Sequence, residues 1–345
     1  MDNATRRETF PDVQALARAL SGTAEAVAEP ARRGGNNRLY RVTAEGRAFA
    51  LKLYLRDSSD PRDRLGTEFR ALEFLTRHGL TCVPSPIARD DAAGAALYSW
   101  IDGEPVTSAT EADADAAADF LDRLHALRTD GEALAFPPAS EACLSGREVW
   151  RQIDGRLQRL RTAARGDGLS ELAGFLDTAF APALADHGRR ARDGYDFEAD
   201  IDAGRITLSP SDFGFHNALA RSGRVTFLDF EYFGRDDPVK LVADFLLHPG
   251  FACPQAVRGR FLKRARAVYG HDGTFESRLF YLYPLYGLRW CMILLNEFLP
   301  ERWLRRAYAG ADDRAAAQTR QLEAARRLLA SLANDGDRLF HDLHP

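Results

Sequence analysis

The chain has 345 residues, enough for two lobes with a sizeable core, and its 45% hydrophobic and 28% charged content are globular values. With 46 basic against 50 acidic residues and a formal net charge of −4, it offers no bulk electrostatic case for nucleic acid or an anionic membrane. Four scattered cysteines without a CxxC pair argue against a zinc site or a disulfide framework and fit a reducing cytoplasm, and the opening MDNATRRETF lacks the apolar run of a signal peptide.

Asp12 to Leu20 predicts a short amphipathic helix with Asp12 as its N-cap. Ala26 to Ala31 reads as a first strand, Arg38 to Val42 as a second, and Arg47 to Tyr54 (RAFALKLY) as a third, after a turn at Glu45-Gly46. Between the first two lies Arg33-Gly34-Gly35-Asn36-Asn37. A glycine loop between strands, followed by a lysine (Lys52) on the next strand, is an arrangement that covers nucleotide phosphates with backbone and grips them with a cation. The loop alone also reads as ordinary turn chemistry beside an exposed lysine.

Asp60-Pro61 is expected to open a helix that Gly79 closes. Leu65, Phe69, Leu72 and Leu75 form its apolar stripe, and Glu68 falls on that stripe, whereas Glu73 sits further from it. A carboxylate on a buried face needs a partner, and Lys52 is the expected one; the alternative is a solvated position at the helix margin. Val83-Pro84-Ser85-Pro86 reads as a linker and Ala96 to Ile101 as the fifth strand. Asp102-Gly103-Glu104-Pro105 then breaks the pattern as a candidate hinge between a lobe of residues 1–104 and a lobe of 105–345. By order along the chain, the backbone of Ser99, Trp100 and Ile101 could meet an adenine edge; the alternative is a plain strand-to-helix turn.

The rest is mainly helical. Ser108 to Arg128 carries Phe120, Leu121, Leu124 and Leu127 inward, with His125 read as a packed histidine. Gly146 to Arg192 is an arginine-rich helical pair. Asp237-Pro238 begins a helix through about His248, followed by helices at Val257–Tyr269, Leu279–Leu299 and Asp312–Ala333. The run from Leu279 to Leu299 is interrupted by Pro284, Arg289, Asn296 and Glu297, so it reads as a buried helix and not a membrane span. Arg289, Asn296 and Glu297 should then be paired or face a cleft.

The most informative stretch is Pro210 to Glu231, PSDFGFHNALARSGRVTFLDFE. Asp212 and Asn217 lie five residues apart, Arg221 to Arg224 is a turn with Gly223 at its tip, and Val225 to Phe230 is β-branched and aromatic. Asn217 precedes Gly223 by about as much as Asp229 follows it. The two are therefore expected roughly opposite each other in an antiparallel hairpin, where an amide oxygen and a carboxylate suit Mg²⁺. Asp212 is placed upstream to take a proton from a nucleophile. Glu231, two residues past Asp229, points to the same side and either aids the metal or forms a salt bridge. The tripeptide Asp212-Phe213-Gly214 is a decoy: read as a metal-binding Asp-Phe-Gly it would need an earlier Asp with Asn five residues on, and Asp200 and Asp202 have Arg205 and Thr207 there instead.

Asp212, four intervening residues, Asn217, and then Asp229 in Leu-Asp-Phe-Glu resembles the aminoglycoside phosphotransferase and choline kinase superfamily of small-molecule kinases. The resemblance covers about residues 25 to 300 and implies a two-lobe, protein-kinase-like α+β fold, with a small antiparallel-sheet lobe and a larger helical one. It implies that Lys52, positioned by Glu68, holds the α- and β-phosphates of ATP. Gly34, Gly35, Asn36 and Asn37 would cover the phosphates, Asn217 and Asp229 would bind Mg²⁺, and Asp212 would act on the acceptor hydroxyl, in a pocket lined by helices of the larger lobe with Arg289, Asn296 and Glu297 as substrate contacts. Many relatives place His two residues before the base and Gly immediately before it; here Pro210 and Ser211 stand there. Only seven residues separate Asp229 from Asp237, with no A-P-E sequence after it, so a protein substrate is disfavoured.

The expected activity is transfer of the ATP γ-phosphate to a small-molecule hydroxyl, with a sugar preferred over an aminoglycoside, choline-like alcohol or homoserine-like acid on polar-plus-aromatic pocket content. The reading of another class is a kinase-fold nucleotide-binding protein without turnover, motivated by Pro210 and Ser211.

Overall fold

A computed structural model describes residues 12–31, 37–55, 61–166, 168–303 and 313–340. The chain divides into two compact units, Met1–Asp102 and Gly103–Pro345. Arg33, Gly34, Gly35 and Asn36 of the expected phosphate loop, with Asp60 and Asp312, where two helices were expected to start, lie outside the described residues.

The first unit runs α1 (Val13–Ser21), β1 (Val27–Pro30), β2 (Asn37–Ala44), β3 (Arg47–Tyr54), α2 (Arg64–Arg77), β4 (Pro86–Asp90) and β5 (Ala95–Ser99). Its antiparallel sheet has the order β1-β2-β3-β5-β4. Asp12 caps α1 by accepting from the Gln14 and Ala15 amides, and Leu16 and Ala17 pack with Val42, Leu51 and Leu97 on one sheet face. Ala95 to Tyr98 are all buried, because α2 brings Phe69 against Tyr98 from the other face. Such a strand loses its polar alternation.

Three boundaries differ from expectation, one being β5, which ends at Ser99 and not Ile101. Of the expected linker Val83–Pro86, only Pro86 belongs to a strand, the first residue of the edge strand β4, a position that tolerates proline. Helix α2 begins at Arg64, capped by Asp63 Oδ1 accepting from the Gly66 amide. Asp63 is followed at N3 by an amide it can reach, which Asp60 is too far upstream to do.

The second unit runs β6 (Glu104–Pro105), α3 (Glu111–Leu127), α4 (Gly131–Leu134), α5 (Gly146–Ala163), α6 (Ser170–Gly174), α7 (Ala181–Gly194), β7 (Thr207–Ser209), β8 (Ala218–Arg221), β9 (Arg224–Phe227), β10 (Gly234–Asp236), α8 (Pro238–Leu247), α9 (Gln255–Tyr269), α10 (Phe275–Leu294) and α11 (Arg314–Leu339). Strands β6, β8 and β9 form one small sheet and β7 with β10 another. A reciprocal capping box of Thr110 and Asp113 starts α3. All ten residues of α8 are buried, marking it as the central helix of this unit. Pro284 sits inside α10 without ending it, and Gly287 lets α10 approach α11 closely, since a Cβ there would lie 2.3 Å from Leu332 Cδ2.

Phe120 of α3 stacks on Phe213 and Phe227 at 5.5 and 5.0 Å. Phe213 and Phe215 both meet Phe245 of α8, at 5.7 and 5.2 Å. Burying an aromatic ring contributes about 2 kcal/mol or more, so this cluster pins residues 212–217 to the core from below. Among the described residues no helix is long and apolar enough to cross a membrane.

Candidate active site

The turn of the β8–β9 hairpin is Ser222-Gly223, with φ of 50° and 75°. That is the mirror-type turn that suits strand twist. It pairs Ala218 with Phe227 and Arg221 with Arg224, and the Leu228 amide donates to the Asn217 carbonyl at 2.8 Å. Asn217 therefore faces Leu228, not Asp229, and β9 ends at Phe227 instead of running to Phe230. Asp229 has left strand geometry with φ of 65°, a left-handed conformation that aspartate tolerates better than most residues. Asn217 Nδ2 donates to the Asp212 carbonyl at 3.1 Å. This anchors the amide through its nitrogen and leaves its oxygen for another partner. An amide oxygen and a carboxylate are hard donors of the kind Mg²⁺ takes, so Asn217 and Asp229 fit that ion chemically.

Asp212 sits at the head of this loop with about a third of its side chain exposed. His216 Nε2 lies 3.0 Å and His248 Nε2 3.2 Å from its Oδ1. Among the described residues no partner reaches Oδ2. Burial pushes the Asp212 carboxyl up, but the hydrogen bonds from the two histidines outweigh it and hold the group well below the usual carboxylate range. That favours the ionised form of Asp212, an acceptor suited to orienting a hydroxyl.

The residue before it, Ser211, adopts φ of 67°. That is the left-handed region where relatives place glycine, at a cost of about 1–2 kcal/mol for a residue with a Cβ. The hydroxyl offsets this: Ser211 Oγ donates to the Ser140 carbonyl at 2.9 Å and accepts from Lys240 Nζ at 3.3 Å. Lys240 is fully buried, with Asp236 Oδ2 at 3.2 Å and Asp244 Oδ2 at 3.0 Å. Burial disfavours its charge, yet the two aspartates raise its pKa above that of an ordinary lysine, so it stays cationic. The loop that lacks the relatives' His and Gly is thus supported by a serine and a buried lysine. Asp244 joins this support through Lys240 and also accepts from Trp290 Nε1 at 2.8 Å.

In the first unit, Lys52 Nζ lies 2.6 Å from Glu68 Oε2, both side chains nearly buried. The same oxygen accepts from the Tyr54 hydroxyl at 2.7 Å, and Tyr54 meets Tyr98 hydroxyl to hydroxyl at 2.7 Å. Burial, then the Glu68 charge, raise the Tyr54 pKa well above normal, so it remains a donor. Glu73 is exposed. Asn37 stands opposite Tyr54 in the β2–β3 pair. Ser99 ends β5, its amide donating to the Ser85 carbonyl at 2.8 Å, and Trp100 Nε1 donates to Asp102 at 3.1 Å. Ile101 follows as partly exposed backbone outside any strand.

Of the residues expected in an acceptor pocket, Arg289 is buried and bonded to Glu141 at 2.8 Å and Gln152 at 2.9 Å, with Asp244 at 3.5 Å. Asn296 Oδ1 accepts from Arg156 at 3.4 Å. Both have the protein partners that the paired alternative calls for. Glu231 and Glu297 are buried, 2% and 4% exposed. His125 bonds Thr207 at 3.2 Å and is held neutral by burial and Arg128, its pKa lowered to about 4, as a packed histidine should be. Sequence reasoning missed His216, Lys240 and His248. His216 stood in the quoted motif, but nothing local marks the partner that another element will bring.

A model of the phosphotransferase enzyme family matches residues 27–281. No curated protein matches the chain by sequence. Solved structures do match in fold. Choline kinase from Cryptosporidium parvum Iowa II shares 10% identity at a TM-score of 0.57, covering 96% of this chain and 98% of that one. The gentamicin complex of the aminoglycoside phosphotransferase APH(2″)-IIa shares 17% at 0.60, covering 92% and 96%. Spectinomycin phosphotransferase APH(9)-Ia, with ADP and spectinomycin, shares 14% at 0.58, covering 91% and 98%. These likenesses establish the two-lobe, protein-kinase-like α+β fold of small-molecule kinases.

Proposed function

The chain belongs to the phosphotransferase enzyme family, and from that premise we propose that it moves the γ-phosphate of ATP to a hydroxyl of an amine-bearing small molecule. The observation that carries the chemistry is the one-sided grip on Asp212: Oδ1 is bonded by His216 and His248, while no described residue bonds Oδ2. A hydroxyl donating to Oδ2 would be oriented for attack. Its oxygen bonds the γ-phosphorus, the bond from that phosphorus to the bridging oxygen breaks, ADP leaves, and the hydroxyl proton passes to Oδ2. Lys52, held by Glu68, is assigned to the α- and β-phosphates. Asn217 and Asp229 would hold Mg²⁺, which when bound offsets the phosphate charge.

The acceptor class is drawn from the relatives. Choline, gentamicin and spectinomycin, the compounds named for those proteins, all carry amine or quaternary ammonium groups beside hydroxyls. None of these relatives supports the sugar acceptor expected from the sequence. A cytoplasmic setting belongs to the same proposal, since ATP is the donor and all four cysteines are free.

The test is a panel of choline, ethanolamine, gentamicin, spectinomycin and neutral sugars with ATP and Mg²⁺, reading ADP and phosphorylated product by mass spectrometry. Turnover of at least one amine-bearing alcohol is expected. Turnover of neutral sugars alone would overturn the acceptor class. No turnover, together with no protection by Mg-ATP against thermal unfolding, would favour a non-catalytic protein.

A further inference from the structure

The two imidazoles that grip Asp212 are stacked face to face, with ring centres 3.5 Å apart and planes within 1°. Both direct Nε2 at one oxygen. A carboxylate oxygen has two lone-pair sites, so two N–H donors would saturate Oδ1. Which nitrogen of His248 carries the proton follows from its far side. The Gly250 amide donates to His248 Nδ1 at 3.0 Å. A neutral imidazole that accepts at Nδ1 carries its proton on Nε2, and that N–H points at Asp212.

The surroundings lock this ring. Gly250 has no left-handed φ that would call for glycine; it is needed for space. A Cβ there would lie 2.8 Å from His248 Cε1 and 2.9 Å from Nδ1. Gly214 stands in the same relation to His216, with a Cβ 2.9 Å from Nδ1. Trp290 meets His248 edge to face at 4.5 Å and is itself tied to Asp244. Burial, helped by the neighbouring His216 and opposed by Asp212, lowers the His248 pKa and keeps the ring neutral.

The same three side chains could be read as a metal site, since their ligand atoms lie within 4.8 Å of one another. A metal-bound histidine, however, offers a bare Nε2 and donates from Nδ1. Here Nδ1 already faces an amide N–H, and two donors would collide.

We infer that His248 is a positioning residue for phosphotransfer: its Nε2–H, fixed in that tautomer by the Gly250 amide, holds Asp212 through Oδ1 and reserves Oδ2 for the acceptor hydroxyl. This rests on the reading of Asp212 as the base.

Two measurements separate the inference from that reading. Imidazole ¹⁵N NMR of the full chain without substrate should show His248 neutral and protonated at Nε2, and Gly250→Ala should disturb that signature. Protonation at Nδ1, or the mixed tautomers of a free imidazole, would overturn the inference whether or not the protein turns over. With an acceptor in hand, His248→Phe should lower kcat about 10- to 100-fold, the range of one charged hydrogen bond, with KM for Mg-ATP within about twofold. His248→Gln, which keeps an N–H donor, should recover most of the loss. A glutamine variant no better than phenylalanine would overturn it; absence of turnover in the wild type would instead count against the base.

Discussion

Lys52 and Asp212 are both charged groups held by protein partners, but the partners come from different distances. Lys52 is held by Glu68, from the first helix after its strand, with Tyr54 two residues along the same strand closing the contact. Asp212 is held by one histidine from its own loop and one from the end of α8, on a backbone propped by Ser140 and Lys240. The first arrangement is local strand-and-helix geometry. The second is tertiary, and it puts a buried cation and two carboxylates behind the loop. The comparison teaches that Lys52, in its proposed role at the phosphates, should be costly to change for activity, and the loop's support costly to change for folding.

The sharpest way to break this contrast is Lys240→Met. It would leave Asp236 and Asp244 buried without their cation, and loss of one partner of a buried pair costs about 3–5 kcal/mol. Denaturant unfolding should show that loss. Glu68→Gln should act the other way, with activity falling about 10- to 100-fold, the equivalent of about 1.5–3 kcal/mol for a charged hydrogen bond. The rise should appear mainly in KM for ATP, with the unfolding midpoint moving much less than in Lys240→Met.

A pH series sharpens the contrast further. Burial raises the Glu141 carboxyl, but Arg156 and Arg289 lower it more, to about 2 from an ordinary 4.5. A folded-state pKa below the unfolded one gives stability that is present above about pH 4.5 and lost as pH falls towards 2. With a third of Glu141 exposed, the loss should be about 1–2 kcal/mol. Glu141→Gln should flatten that acid limb, which acid unfolding followed by circular dichroism would measure. The smallest effect is expected for Ser211→Gly. Relief of the left-handed φ and loss of two hydroxyl bonds nearly cancel, leaving stability within about 1 kcal/mol.

What the sequence made legible follows the same division. The Lys52–Glu68 pair could be read because a strand lysine and a buried helix carboxylate each follow a fixed period. The caps Asp12 and Asp237 could be read because capping is a matter of two or three residues. Asp63, which stands next to the helix start, caps the following helix by the same local rule. The one-residue offset in the β8–β9 register came from the turn: the two-residue Ser222-Gly223 turn sets the pairing, while counting from Gly223 alone does not. Lys240 and His248 were not legible. A lysine inside an apolar helix gives no sign of which carboxylates will surround it, and a histidine before Pro249-Gly250 looks like a helix end. Arg289 and Asn296 could be seen to need partners, but whether those partners were protein or substrate lay with α5 and the 140–141 turn, far away in sequence.

The most direct test of the account is the rate of ADP formation from ATP and Mg²⁺, with an accepted amine-bearing alcohol, in the wild type and in Asp212→Asn. The account predicts that the variant folds with an unchanged far-ultraviolet spectrum and loses activity by about 10²- to 10⁴-fold, the usual share of a positioned proton acceptor. An Asp212→Asn protein that still phosphorylates the acceptor at the wild-type rate would contradict it.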